Sequence, residues 1–248
     1  MSVQINEKEF LSELTKVFSL NGMSSLLSIE KSGKFFELTR FMLEENEKYN
    51  LTAITDPAKI ILNHYADCAT LCAKISRGAS VIDVGCGAGF PTLPLAILRP
   101  DLKILAVDST AKRIAYVQSC VGLLGLSGVT AMTMRAEDGA RMPEYRERFD
   151  YATARAVAEL RVLSELCLPY VKVGGSFIAM KGRNAEFELA GAKRGIAILG
   201  GKGAKCEEIT LADGRGEFLT HPLILVGKGS KTPATYPRAY AQISKKPL

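Results

Sequence analysis

Residues 81–91 form an apolar run that ends in three closely spaced glycines: Val81-Ile82-Asp83-Val84-Gly85-Cys86-Gly87-Ala88-Gly89-Phe90-Pro91. The continuous apolar character of Ser80–Val84 is typical of a strand that is buried on both faces. Glycines directly after such a strand let the backbone bend tightly and let a ligand approach it closely. Open α/β sheets bind ligands at the carboxyl ends of their strands, so we predict a ligand site at this turn.

Short apolar runs alternate with helical patterns after this turn. Together with Ser80–Val84 they predict strands at Lys103–Val107, Val129–Met134, Phe149–Ala154, Ser176–Met180, Lys205–Leu211 and Phe218–Val226. Helices are predicted near Thr110–Leu124, Ala158–Leu168 and Asn184–Leu199. This alternation indicates an α/β fold with a doubly wound, mostly parallel, seven-stranded sheet. No helix separates the last two strands, so they are expected to form an antiparallel hairpin at one edge. The tail, Lys228–Leu248, is expected to be irregular.

Three helical patterns precede the turn and predict a small N-terminal helical cap. Apolar residues recur at helical spacing in Phe10–Phe18 and Phe35–Met42, and a third stripe covers residues 61–75. Asp56-Pro57 suits the start of the third helix, because a capping carboxylate precedes proline at the first helical position. We assign the cap to residues 1–78 and the sheet domain, with its basic tail, to residues 79–248.

The composition is that of an ordinary globular protein. Of the 248 residues, 47% are hydrophobic and 23% are charged, which is enough apolar material for a sizeable core. No window reaches the roughly 20 apolar residues of a membrane helix, and the N-terminus lacks the pattern of a secretory signal. The six cysteines are scattered through predicted core elements and suit reduced thiols, so we expect a cytoplasmic protein.

The net charge of +6 is unevenly distributed along the chain. Residues 1–70 have a net charge of −3, whereas residues 181–248 have a net charge of +6. A basic excess near the C-terminus favours a polyanionic partner, although a solubilising surface would have the same composition.

The spacing of the turn favours S-adenosylmethionine over a dinucleotide as the ligand. Dinucleotide turns follow G-x-G-x-x-G, whereas this one is G-x-G-x-G and has Phe90 at the position of the last glycine. Asp83 would repel a pyrophosphate but suits a ligand with a cationic amine and a sulfonium. Asp108 ends the next strand, where a carboxylate accepts both ribose hydroxyls of a nucleoside. A glycine turn without a ligand is the alternative.

These observations predict cofactor contacts at the turn and at the end of the third strand. The three glycines of the turn, Gly85, Gly87 and Gly89, are expected to contact the cofactor. We expect Gly85→Val to remove cofactor binding without unfolding the chain, because its side chain would fill the ligand's place. Backbone groups of Ala136 and Glu137 are expected to recognise the adenine edge, although a polar loop without a ligand would look the same.

The end of the fourth strand bears on the reaction. Amine-methylating nucleic-acid enzymes place an Asn/Asp-Pro-Pro-aromatic tetrad here, and this chain has Ala154-Arg155-Ala156-Val157 instead. No cysteine lies in a loop of the kind that carbon-5 methylation needs. Guanine N7 needs no general base, because its lone pair is unprotonated at neutral pH. We therefore assign no catalytic residue. Small-molecule methyltransferases also lack the tetrad.

Several runs in combination resemble one known family. They are YNLTAI (49–54), DVGCGAGFPTLPLAI (83–97), VDSTAKR (107–113), RAED (135–138), FDYATARAVAEL (149–160), LPYVKVGGSFIAMKG (168–182) and YPRAYAQISKKPL (236–248). The chain resembles the bacterial 16S ribosomal RNA guanine-N7 methyltransferases, also called the glucose-inhibited division protein B family. The resemblance covers roughly residues 45–248. It implies a class I S-adenosylmethionine-dependent methyltransferase fold and one guanosine of 16S ribosomal RNA in the small ribosomal subunit as substrate.

Carried over by position, the resemblance implies cofactor contacts at Gly85, Phe90, Ala136 and Glu137. Arg155 matches the family's Ser-Arg-Ala element and is expected to bind either the cofactor carboxylate or an RNA phosphate. The chain departs from the family pattern at Cys68, Cys86, Thr92 and Ala241. The changes at Cys86 and Thr92 are expected to alter cofactor affinity modestly.

Substrate contacts are expected from polar and cationic side chains, namely His64, Lys181, Arg238, Lys245 and Lys246. The tail's Lys228 and Lys231, with Tyr236 and Tyr240 among them, also suit RNA contact, unless the tail is a disordered basic end. His64, Cys68 and Cys72 share helical spacing, but a fourth ligand is missing, so we expect no metal. We expect a monomer. A small-molecule methyltransferase and a noncatalytic module that binds cofactor and RNA are the alternative functions.

Overall fold

A computed structural model describes residues 5–155, 157–216 and 218–248 and shows one seven-stranded sheet with strand order β3-β2-β1-β4-β5-β7-β6. Its strands are β1 Ser80–Val84, β2 Lys103–Asp108, β3 Val129–Thr133, β4 Phe149–Arg155, β5 Val171–Met180, β6 Gly201–Ala212 and β7 Phe218–Lys228. Strands β1 to β5 are parallel, and β7 pairs antiparallel with both β5 and β6. This confirms the predicted doubly wound sheet with an antiparallel edge hairpin.

The helices are α1 Glu7–Leu20, α2 Ile29–Tyr49, α3 Pro57–Ile60, α4 Asp67–Ala69, α5 Thr92–Leu98, α6 Ala111–Leu124, α7 Ala136–Gly139, α8 Leu160–Cys167, α9 Ala185–Ile198 and α10 Tyr240–Lys245. Short 3-10 turns lie at Ser24–Leu26, Thr70–Ala73 and Leu168–Tyr170. As predicted, Asp56 caps α3: its side chain accepts from the Lys59 backbone N–H at 2.9 Å, and Pro57 follows. None of the described helices is long and apolar enough to cross a membrane.

The strand order places the glycine turn where open sheets bind ligands. β1 lies between β2 and β4, so the chain moves outward on one side of β1 and then returns to its other side. Register pairs of β1 with both neighbours bring the carboxyl ends of β1, β2 and β4 to the same edge. This reversal of strand order opens a crevice beyond the carboxyl ends, and the glycine turn lies in it.

The two faces of the sheet carry separate apolar cores. On one face, Phe18, Phe35 and Tyr65 from the N-terminal helices join Val81 and Ile104 in a continuous cluster. On the other face, side chains of α8, α9 and α10 pack on β4, β5 and β7. The N-terminal helices therefore share a core with the sheet, and the boundary at residue 78 stays a prediction.

Two expectations about local structure were wrong. The third helical stripe is not one regular α-helix, because Ile61–Ala66 between α3 and α4 is π-helical. The tail is not irregular throughout, because α10 forms there and buries Ile243 in the core. In addition, β5 starts at Val171 instead of the predicted Ser176, and its register with β4 shifts within this added segment.

Candidate functional site

A cavity of about 590 Å³ lies at the carboxyl ends of the strands, beside the glycine turn. Its volume is within the usual range for small-molecule sites. The walls come from the turn itself, from the ends of β2, β3 and β4, from the N-terminal cap through Leu51, Thr52 and His64, and from Tyr240 at the start of α10. The cavity thus lies between the cap, the sheet and the C-terminal tail.

The three glycines of the turn have different surroundings. All three have positive φ angles, which L-residues other than glycine rarely adopt. A Cβ at Gly85 would lie 2.6 Å from Val157 Cγ2, and one at Gly89 would lie 2.4 Å from Leu93 Cδ1. A Cβ at Gly87 would have only the Gly85 carbonyl oxygen within 4.0 Å. Gly87 is therefore the glycine that leaves the cavity open, whereas Gly89 permits packing beneath the turn and does not line the cavity.

Asp108 is held at the cavity wall by backbone donors. Its Oδ2 accepts from the Gly87 N–H at 3.0 Å, and its Oδ1 accepts from the Thr110 N–H at 2.8 Å. The residue is only 4% exposed, and Arg113 Nη1 lies 3.5 Å from Oδ2. The turn and the end of β2 therefore position each other, with a carboxylate at the cavity wall.

Asp83 does not line the cavity, contrary to the expectation that it faces the ligand's amine. Its Oδ2 accepts from Thr92 Oγ1 at 2.6 Å, and its Oδ1 accepts from Thr153 Oγ1 at 3.3 Å. Burial raises the pKa of Asp83 to about 6, although these two hydroxyls partly oppose the rise. Thr92, at which the chain departs from the family pattern, thus binds the carboxylate beneath the turn.

Ala136 and Glu137 line the cavity at the start of α7. The Ala136 carbonyl oxygen accepts from the Tyr170 hydroxyl at 2.7 Å, which fixes this loop to the chain after α8. Glu137 is 7% exposed, and Arg135 Nη1 lies 3.8 Å from its carboxylate. Both predicted residues therefore lie where the sequence placed them, on the same cavity as Asp108.

Arg155 lies at the end of β4, lines the cavity and binds the N-terminal cap. Its Nη1 donates to the Asn63 carbonyl at 3.0 Å and to Asp67 Oδ2 at 2.8 Å. Its Nη2 lies 2.8 Å from His64 Nδ1, and its guanidinium carbon is 5.2 Å from the centre of the Phe90 ring. Arg155 therefore joins the cap to the glycine turn. Ala156, the next residue of the Ala-Arg-Ala element, is outside the described residues.

His64 is neutral at the cavity wall. His64 Nδ1 lies 2.8 Å from Arg155 Nη2 and 3.1 Å from the Asn63 carbonyl oxygen. Because an arginine cannot accept a hydrogen bond, we assign Nδ1 as the acceptor from Arg155 and the ring proton to Nε2, 3.2 Å from Thr52 Oγ1. Burial, and then the charge of Arg155, lower the pKa of His64 to about 4. The ring stacks on Phe90 with centres 4.4 Å apart. Its lone pair is occupied, so His64 is not placed to act as a general base.

The same network extends to the edge hairpin. His221 Nε2, on β7, lies 2.6 Å from Asp67 Oδ1. The contact is too poorly aligned for a hydrogen bond, and neither atom has another partner among the described residues. The Asp67 carboxylate therefore lies between Arg155 and His221, with little access to water.

The predicted substrate residues other than His64 do not line the cavity. Lys181 is bound internally: its Nζ donates to the Ala158 carbonyl at 2.8 Å and lies 2.7 Å from Glu188 Oε2. Arg238 binds the fully buried Glu165 through two nitrogens. Lys245 and Lys246 are exposed on the tail. The suggestion that Lys228 contacts RNA was wrong, because its side chain is buried and donates to the Leu168 carbonyl.

Sequence reasoning missed several wall residues. Thr52 lies in the YNLTAI run, so that run was the available signal. Val157 lies two residues after the end of β4, so the predicted end of that strand was the available signal. Tyr240 had no signal that placed it at the cavity, because it belongs to a tail far from the turn in sequence. Among the described residues, no group of three or more His, Cys, Asp or Glu side chains could hold a metal ion.

Comparison with known proteins shows the family to which this chain belongs. The family model described as rRNA small subunit methyltransferase G (GidB) matches residues 31–213, including the turn and the ends of β2, β3 and β4. The chain belongs to this family. It is 47% identical over 221 residues to the Clostridium perfringens (strain 13) protein named ribosomal RNA small subunit methyltransferase G, covering 88% of this chain and 91% of the relative. It is 42% identical to the Lactobacillus acidophilus protein of the same name, covering 98% of this chain and 100% of the relative.

A solved structure supports the fold of this GidB-family protein. The chain is similar to an S-adenosylmethionine-dependent O-methyltransferase from Thermotoga maritima, with a TM-score of 0.53, 15% identity, and coverage of 78% of this chain and 72% of the other. This confirms the predicted class I methyltransferase fold. Family membership confirms the predicted rRNA methyltransferase class, with S-adenosylmethionine as its cofactor.

Proposed function

We propose that this GidB-family protein transfers a methyl group from S-adenosylmethionine to N7 of one guanosine in 16S ribosomal RNA. The observation that carries the choice of atom is the end of β4, where Arg155 and Val157 line the cavity. A guanidinium has only donors, so it does not accept from an exocyclic amine. It suits O6 of guanine, an acceptor on the same base edge as N7, and leaves the N7 lone pair free to attack the methyl group.

The cavity fits the cofactor in shape and in donor set. Gly87 opens the turn toward it, and the carboxylates of Asp108 and Glu137 give its wall the acceptor character that suits ribose hydroxyls and a cationic ligand. When bound, S-adenosylmethionine supplies a methyl group on a cationic sulfur. We propose that Gly85, Gly87, Phe90, Asp108, Ala136 and Glu137 hold it. Gly89 and Asp83 would support the turn from beneath instead of touching the ligand.

The chain's own part in the reaction is then orientation. The nucleophile needs no deprotonation, and His64 has no lone pair to offer because Arg155 occupies it. We propose that Arg155, fixed by the carbonyl of Asn63 and by Asp67, holds one side of the base site. Positioning of this kind accounts for a large part of the rate in reactions that need no proton transfer.

RNA would approach over the exposed cations around the cavity. Side chains of Arg113 and Arg135 are 55% and 63% exposed while both residues line the cavity. Lys245 and Lys246 are exposed on and beside α10, whose first residue also lines the cavity. We propose these four residues as phosphate contacts, in place of Lys181 and Arg238. We also propose that the protein is a monomer and that it acts in the cytoplasm, where ribosomal RNA is found.

A transfer assay tests the proposal. Purified protein and labelled S-adenosylmethionine are incubated with unmodified 16S RNA, with small subunits, or with large-subunit RNA as control, and the product is mapped by cleavage at 7-methylguanosine. We expect one modified guanosine in 16S RNA and none in the control. Label on an exocyclic amine would contradict the choice of N7. Cofactor binding without transfer to either form would favour the small-molecule enzyme or the noncatalytic module.

A further inference from the structure

The C-terminal tail brings an aromatic side chain to the cofactor cavity. Tyr240 is the first residue of α10 and lines the cavity, although it is 43% exposed. Leu166 of α8, the helix on which α10 packs, lines the cavity as well. A tyrosine ring in a cavity wall offers an apolar surface to a ligand.

Arginine and glutamate side chains hold the tail in this position. Two residues before Tyr240, the Arg238 backbone N–H and Nε both donate to Glu165 Oε1, at 2.8 and 2.9 Å. Arg238 Nη2 donates to Glu165 Oε2 at 2.6 Å, and Glu165 is fully buried. A bidentate pair with a buried carboxylate fixes both position and direction.

Further anchors lie on either side of this pair. Arg146 Nη1 donates to the Tyr236 carbonyl at 2.8 Å, and its Nη2 donates to the Thr232 carbonyl at 2.9 Å. Beyond α10, Arg161 donates to the carbonyl oxygens of Pro247 and Leu248. Residues 232–248 are therefore fixed along the sheet domain, with Tyr240 in the cavity wall. We call this segment the C-terminal strap.

We propose that Tyr240 is a cofactor-binding residue and that the buried Glu165–Arg238 pair acts through it as a positioning element. The ring would cover an apolar part of bound S-adenosylmethionine. The C-terminal strap would then contribute Tyr240 to the cofactor site and Lys245 and Lys246 to RNA binding. This inference rests on the assignment of the cavity to S-adenosylmethionine.

Calorimetric titration of S-adenosylmethionine into three full-length variants tests this role. Tyr240→Ala is expected to weaken binding about five- to tenfold, because a partly exposed aromatic wall is lost. Tyr240→Phe, which keeps the ring, is expected to stay within about twofold of the parent. Gln242→Ala is the matched control, since Gln242 is exposed on the same short helix and does not line the cavity. Unchanged affinity in Tyr240→Ala would overturn the proposal.

A double variant separates positioning from general destabilisation. If Glu165 acts by placing Tyr240, Glu165→Gln weakens cofactor binding in the parent but adds no further loss in Tyr240→Ala. Additive losses would contradict the positioning step. Failure of the cofactor assignment itself would look different, because the parent protein would then bind no S-adenosylmethionine.

Discussion

The cofactor side and the substrate side of the cavity differ in how their residues are held. On the cofactor side, Gly87, Asp108 and Ala136 lie at the carboxyl ends of strands or just beyond them. The Gly87 N–H donates to the Asp108 carboxylate, and the Tyr170 hydroxyl donates to the Ala136 carbonyl. On the substrate side, predicted cations such as Lys181 and Arg238 are bound to buried or half-buried glutamates elsewhere. The location of a residue in the first group follows from its position relative to a strand. The location of a side chain in the second group depends on the partner that it binds in the folded chain.

Arg155 joins the N-terminal cap to the glycine turn, so its removal should have the largest effect. Arg155→Met would leave the Asp67 carboxylate buried beside His221 without its cation. We expect a loss of about 3–5 kcal/mol in the free energy of unfolding, as for other broken buried pairs. Denaturant unfolding measures it.

The double variant Arg155→Met with Asp67→Asn is the control for this effect. We expect it to be more stable than Arg155→Met alone, since the uncompensated charge is gone. Stability no better than in the single variant would show that Arg155 contributes through packing and not through its charge.

Two buried groups, one at the cavity wall and one beneath the turn, have opposite effects on how stability depends on pH. The pKa of His64 is lowered from 6.5 to about 4, so the unfolded chain binds more protons in this range and stability falls as pH drops from 6.5 to 4. The pKa of Asp83 is raised from 3.8 to about 6, so the folded chain binds more protons and stability rises as pH drops from 6 to 3.8. Each contribution is about 3 kcal/mol, and the two have opposite signs.

Single substitutions should therefore uncover opposite slopes. In unfolding experiments between pH 4.5 and 6.5, His64→Gln is expected to become more stable as pH falls, because the effect of Asp83 remains. Asp83→Asn is expected to become less stable as pH falls. Two variants with the same slope would show that the two groups do not oppose each other.

A smaller effect is expected from the exposed cations of the tail. Lys245→Glu with Lys246→Glu should raise KM for RNA about tenfold, leave S-adenosylmethionine affinity unchanged and make RNA binding less dependent on salt, because phosphate contacts are lost. The matched control is Arg77→Glu with Lys103→Glu, the same charge change in exposed residues near the amino ends of the strands. An equal rise in KM in both would assign the effect to net charge alone.

The sequence predicted the sheet, the edge hairpin and the cofactor side because these follow from local patterns. The cofactor side is built from glycines and carboxylates that lie within a few residues of a strand end. Their positions can therefore be predicted once the strands are predicted. The prediction that Asp83 faces the ligand was wrong, because Thr92 and Thr153 bind its carboxylate from elements that come together only in the folded chain. Arg238 and Lys228 were misplaced for the same reason, since Glu165 and the Leu168 carbonyl reach them across long sequence separations.

Calorimetric titration of Gly87→Val beside Gly89→Val tests whether the turn holds S-adenosylmethionine at Gly87. We expect one molecule bound per parent chain and at least about a hundredfold weaker binding in Gly87→Val. That variant should still unfold cooperatively, with only about 1–2 kcal/mol of backbone strain. Gly89→Val should instead lose stability, because its side chain meets Leu93 and Val117. Parent-like affinity in Gly87→Val would contradict the claim.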